Sequence, residues 1–214
     1  MRDFDFINEI KDIFPHKNDK IRGSQLEPNR LAFLAATSKF EFVIRDEIAY
    51  RLHNKFMKQD GGYIVAREWK RYDLAILDNS RDVICLVEFK AGSIASAIER
   101  HSLNTEKDIR KLLRSRNRKI SSAQKYVVLI LMLPQNKFNA NLKGVVKYLP
   151  GINHQFKISN PIEENYYDKW KAHLEKIKIG KTDYNPPFRI DAGIYNGVNI
   201  YLYLYIAGPL KPMK

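Results

Sequence analysis

The chain has 214 residues, 44% of them hydrophobic, and carries 37 lysines and arginines against 24 aspartates and glutamates, a formal net charge of +13. This length allows one domain with an ordinary core and the composition excludes collagen-like and low-complexity chains, while the charge favours a polyanionic partner. A single cysteine, Cys85, excludes an intrachain disulfide, and with no run of 18 apolar residues and no signal-peptide core the expectation is a soluble, cytoplasmic protein with no membrane partner.

Phe6, Ile10 and Phe14 recur at helical spacing and predict a short helix over 4–14. Residues 15–30, with Pro15, Gly23 and Pro28, read as a flexible loop. Phe40, Val43, Ile44, Glu47, Ile48, Arg51, Leu52 and Phe56 predict a mostly helical segment over 31–58, ended by Gly61-Gly62. Strands are predicted at 63–68, 72–77 and 83–90, the last two joined by a turn at Asp78-Asn79-Ser80. Ala91-Gly92-Ser93 loosens the chain, and 101–104 reads as a loop. Thr105 then caps a helix running to about Arg114, with Asp108 as its capping partner. The apolar run 126–133 predicts a central strand buried on both faces, stopped by Pro134. Helices over 142–149 and 163–179 follow. A hairpin of 188–195 and 198–206 turns at Asn196-Gly197. This order implies an α/β fold, a mixed central sheet flanked by helices. The expected organisation is a single domain, with an N-terminal helix and flexible loop (1–30), a core (31–133), and C-terminal helices and a hairpin (134–214).

The chemistry concentrates on the strands at 72–77 and 83–90. Glu88 and Lys90 are two apart, so they share one side of a strand. Asp73 approaches them if the two strands form an antiparallel hairpin. Glu88 follows the apolar Cys85-Leu86-Val87, and a carboxylate in such a run calls for a partner. A plain Glu88–Lys90 ion pair is the structural alternative. Asp73, then Glu88-Phe89-Lys90, resembles the core of the PD-(D/E)xK nucleases, the restriction-endonuclease-like superfamily. The usual proline before the first aspartate is replaced by Tyr72. The resemblance spans residues 40 to 133, as a glutamate-bearing helix, strands, motif hairpin, basic helix and buried strand.

That resemblance implies a restriction-endonuclease-like fold and a Mg²⁺-dependent endodeoxyribonuclease, with Mn²⁺ substituting. It implies metal ligands at Asp73, Glu88, the Phe89 carbonyl and a helix glutamate, assigned to Glu47, with Glu68 as the second choice. Catalytic roles fall to Asp73, Glu88, Lys90 and Glu47. Oxygen ligands suit a hard divalent cation. Such a cation acidifies a bound water, and an ammonium offsets charge on the attacked phosphate. The implied products are a 5′-phosphate and a 3′-hydroxyl.

The basic residues Lys107, Arg110, Lys111, Arg114, Arg116, Arg118 and Lys119 form a candidate phosphate-contacting stretch, which Lys70 and Arg71 extend. The expected partner is duplex DNA, and cutting both strands would call for a homodimer. Tyr201, Tyr203 and Tyr205 share one strand face, either as a stacking platform for bases or, more ordinarily, as sheet core or a subunit interface. No P-loop, GxGxxG, HExxH or Cys/His cluster is present, which argues against nucleotide-motor, dehydrogenase and structural-zinc classes. The competing reading is a non-catalytic nucleic-acid-binding module on the same architecture, in which Asp73, Glu88 and Lys90 are salt-bridged or splayed apart.

Overall fold

Alternation along two central strands decides which helices lie on which face of the sheet. In the computed structural model, residues 4–13, 19–20, 29–59, 62–93, 98–114, 118–158, 172 and 188–210 are described. The strands are β1 (Asp19–Lys20), β2 (Tyr63–Arg67), β3 (Leu74–Asp78), β4 (Val83–Ser93), β5 (Gln124–Pro134), β6 (Phe188–Tyr195) and β7 (Val198–Ala207). The helices are α1 (Phe6–Ile13), α2 (Arg30–Thr37), α3 (Glu41–Lys58), α4 (Ile98–Leu113), α5 (Arg118–Ser121) and α6 (Leu149–Ile158). The sheet runs β1-β6-β7-β5-β4-β3-β2. It is mixed: β4 pairs with β5 in parallel, and β2, β3 and β4 pair antiparallel, as do β5, β7 and β6. The expectation of a mixed sheet flanked by helices holds.

Tyr126, Val128, Ile130 and Met132 of β5 face the core formed with α1, α2 and α3. Val127, Leu129, Leu131 and Leu133 face the second core, under Ile109 and Leu112 of α4 and Ile120 of α5. Residues 126–132 are at most 2% exposed. Each such side chain contributes about 1.5–3 kcal/mol, which makes β5 the central beam of the fold. Tyr203 and Tyr205 lie in the second core, and Tyr201 packs against it with the Arg189 guanidinium 4.9 Å from its ring centroid. The tyrosine stripe is therefore sheet core and not a base-stacking platform.

Several boundaries differ from expectation. Residues 31–58 form two helices, because the backbone turns extended at Ser38, where the Thr37 and Ser38 hydroxyls donate to the last carbonyls of α2, those of Phe33 and Leu34. Residues 91–93 continue β4, paired with Ile130, Leu131 and Met132. The expected loop at 101–104 lies inside α4, so Thr105 is a mid-helix residue and Asp108 is not a capping partner. Residues 140–142 form a 3-10 turn, and the helix there is α6, which begins at Leu149. The β6–β7 hairpin matches its predicted bounds except that β7 runs one residue further, to Ala207, and Asn196 (φ 48°) and Gly197 (φ 75°) supply the positive φ values its turn demands. The helix expected over 163–179 falls outside the described residues, apart from residue 172.

Candidate functional site

β3 and β4 form the antiparallel hairpin that carries the acidic constellation. Leu74 pairs with Val87, so one step further along the register Asp73 lies opposite Glu88. Tyr72 leaves the ladder and donates its N–H to Trp69 O at 3.0 Å. The Phe89 N–H, which a longer β3 would have paired, donates to Asp73 Oδ2 at 2.7 Å. The N–H and C=O of one strand residue face the same neighbour, so the Phe89 carbonyl opens on that gap as well.

Glu88 and Lys90 point toward α4. Glu88 is 2% exposed, and its Oε1 accepts from Lys111 Nζ at 2.7 Å. Lys111 Nζ also lies 5.4 Å from the centroid of the Tyr72 ring. Lys90 Nζ sits 3.3 Å from Asp108 Oδ2. This is an ion pair without hydrogen-bond geometry, for the same oxygen is buried with no hydrogen-bond partner. At the end of β4, Glu41 Oε2 accepts from the Ala91 N–H at 3.0 Å. Glu41 is the first residue of α3, where its charge suits the helix dipole.

These groups feel one another. Burial pushes the Glu88 carboxyl up to about 7; Lys111 opposes this, and Asp73 and Asp108 add to it. Burial likewise raises Glu41 and Asp108, against the pull of Lys90. Burial pulls the Lys90 ammonium down, but Asp108, Glu41 and Asp73 outweigh it and leave it above its usual value. Four carboxyls thus face two ammoniums, Lys90 and Lys111. Fully ionised, the cluster carries an excess of two negative charges, in a setting where like charges raise one another's pKa.

Glu47, the helix carboxylate assigned from sequence, is not brought to this cluster. It bonds Arg51 Nε at 2.8 Å, in a groove it shares with Asp12 and Lys55. Glu41 lies six residues earlier on α3, about 9 Å along the axis and about 240° around it. The two cannot serve one site, and the cluster takes the earlier one. Glu68 is also elsewhere: it stands at the strand end with a 70% exposed side chain, bonded to Arg45 Nη1 at 3.1 Å.

The basic stretch divides. Lys111 faces Glu88, and Arg110 is bound to Glu106 Oε1 at 2.6 Å. Lys107, Arg114, Lys70 and Arg71 are exposed, with Lys70 Nζ 4.2 Å from the centroid of Trp69. Arg116 lies outside the described residues, and only the backbone of Arg118 and Lys119 is described, on α5. Sequence reasoning missed Asp108, Lys111 and Glu41 as members of the cluster. Asp108 and Lys111 are three apart on a helix, which was the one available signal.

Among the described residues, no three His, Cys, Asp or Glu side chains are arranged to hold a metal ion by themselves, and no helix is long and apolar enough to cross a membrane. No family model matches the chain, and no curated protein or solved structure matches it.

Proposed function

We propose that this protein is a divalent-metal-dependent endodeoxyribonuclease with a restriction-endonuclease-like core. The observation that carries the reading is the placement of Asp73, Glu88 and Lys90 together at the open end of the β3–β4 hairpin, in a half-buried cluster with excess negative charge. The order α3, β2, β3, β4, α4, β5 also supports it, since the resemblance calls for a glutamate-bearing helix, strands, hairpin, helix and buried strand in that sequence. The donor chemistry fits Mg²⁺ or Mn²⁺: Asp73 and Glu88 each commit one oxygen to a protein donor, and the Phe89 carbonyl adds a third oxygen source. When bound, such an ion supplies an acidified water and charge stabilisation at phosphate.

The chain's own residues have distinct tasks in this reading. Lys90, kept protonated by its acidic neighbours, orients the attacking water and offsets charge at the phosphate. Asp108 holds Lys90, and Lys111 restrains Glu88. Glu41 replaces Glu47 as the helix carboxylate. DNA is the expected substrate, and a double-strand cut would use two copies of the chain. The test is cleavage of supercoiled and linear DNA in Mg²⁺, Mn²⁺ or EDTA, with Glu88→Ala alongside. Metal-dependent cutting that disappears in the variant supports the reading.

A second reading has a specific observation in its favour. Glu88 and Lys90 are both ion-paired to α4, the arrangement expected of a non-catalytic nucleic-acid-binding module. It predicts binding that is indifferent to metal and to Glu88→Ala, with no cleavage.

A further inference from the structure

A cavity of about 310 Å³ opens where the α2–α3 junction, the end of β4 and the turn before α6 meet. Its walls include Lys39, Glu41, Phe42, Lys90, Lys147 and Tyr148. Two of these, Glu41 and Lys90, also belong to the acidic cluster, so the cavity is continuous with the candidate site. Its lining is basic: Lys39 and Lys147 stand with Lys90, whose ammonium is paired with Asp108, beside one carboxyl, and that carboxyl is engaged by the Ala91 N–H.

The turn that ends in Tyr148 is built to display an aromatic ring. Val146 and Leu149 are 3% and 5% exposed and anchor it to the core. The Lys147 N–H donates to Ala36 O at 2.7 Å and ties it to α2. Between those anchors Tyr148 is 51% exposed, on a backbone with φ of 63°. A bulky residue in the left-handed region is costly and is retained where its surroundings impose it. Lys147 Nζ lies 5.1 Å from the Tyr148 ring centroid. Phe42 is a second exposed ring, 48% exposed; the Arg45 guanidinium 4.9 Å from its centroid is buried and bound to Asp46 and Glu68, which leaves Lys39 and Lys147 as the cations open to phosphate. Exposed rings with cations beside them are the parts of a site for unpaired bases, stacking the base and holding its phosphates.

We infer that this cavity takes one unpaired nucleotide of a polynucleotide strand, its base stacked on Tyr148 and its phosphates held by Lys39 and Lys147. The volume is at the lower end for ligand sites, enough for a single small unit. A base within a duplex has both faces covered by its neighbours and must leave the stack to enter. The favoured ligand is therefore a single strand or a frayed or branched end. The proposal deepens the nuclease reading, since it places the bound strand against Glu41 and Lys90.

The test is fluorescence anisotropy in EDTA, where cleavage cannot interfere, with a labelled single-stranded 12-mer and its duplex. Tyr148→Leu should weaken single-strand binding about tenfold, the order that stacking of one base supplies, and leave duplex binding within about twofold. Tyr148→Phe should restore the affinity, and Tyr50→Leu, an exposed tyrosine on the far groove of α3, should change nothing. Lys39→Glu and Lys147→Glu should each weaken single-strand binding and make its dependence on salt shallower. Failure of the wild type to bind the single strand, or equal single-strand affinity for wild type and Tyr148→Leu, overturns the proposal. Cleavage by the wild type with no effect of Tyr148→Leu on binding removes the nucleotide site and leaves the nuclease. A Tyr148-dependent affinity without any cleavage does the reverse.

Discussion

Glu88→Gln isolates the electrostatic tension in the acidic cluster. The Glu88 carboxyl is pushed from its usual 4.5 up to about 7. Between those pH values the folded protein keeps a proton that the unfolded chain has released. The folded state binds more protons, so stability falls as pH rises through this window, and the loss is complete above about 7. The two values lie about 2.5 apart, and at about 1.4 kcal/mol per pH unit the loss is about 3 kcal/mol. Glutamine keeps the shape of the protonated acid and still accepts from Lys111. Wild type and variant should therefore match near pH 4.5, and the variant should be more stable by about 3 kcal/mol above pH 7. Urea unfolding in EDTA at constant ionic strength, at pH 4.5, 5.5, 6.5 and 7.5, measures the difference directly. A difference that stays flat across the series would refute the argument. Saturating Mg²⁺ should then stabilise the wild type above pH 7 and not the variant, by mass action on the folded state.

Three further outcomes are expected. In single-turnover cleavage, Glu41→Gln should lower the rate about 100-fold, while Glu47→Gln stays within about twofold; the reverse order would return the helix carboxylate to Glu47. Asp108→Asn removes a group that holds the Lys90 ammonium up, so the alkaline limb of the pH–rate profile should move to lower pH. An unmoved limb would detach Lys90 from the rate. Gly193→Ala places a side chain at φ of 97°, with its Cβ 2.6 Å from Asn29 Oδ1, at the irregularity in β6. It should cost about 1–3 kcal/mol in thermal or urea unfolding, and a neutral result would mean that the α2–β6 contact yields freely.

The elements that could be read from sequence are those whose signal is local. The apolar run of β5 needs no knowledge of its neighbours to read as a doubly covered strand. Asn196-Gly197 specifies its hairpin through backbone preference alone. Asp73, Glu88 and Lys90 were legible because strand alternation and a short turn leave few ways to arrange them. The helix carboxylate was not legible. Glu47 lies beside the apolar stripe of Val43 and Ile44, whereas Glu41 stands at a helix start that follows the extended backbone of Ser38, a break that the 31–58 periodicity does not show. Asp108 and Lys111 were read as a cap and a phosphate contact because their partners lie on β4, more than 15 residues away in the chain. Only the packing of α4 over the sheet shows that they answer Lys90 and Glu88.

The proposed activity is hydrolysis of DNA by this cluster with a divalent cation. Its most direct test is to incubate one preparation with supercoiled plasmid in Mg²⁺ or EDTA while tracking DNA binding on the same samples, for wild type and Glu88→Gln. The expected result is nicking or linearisation by the wild type in Mg²⁺ alone, and a variant that binds DNA equally but does not cut. Equal binding with no cutting by either protein under any metal would contradict it, and would assign the fold to a module that holds nucleic acid without hydrolysing it.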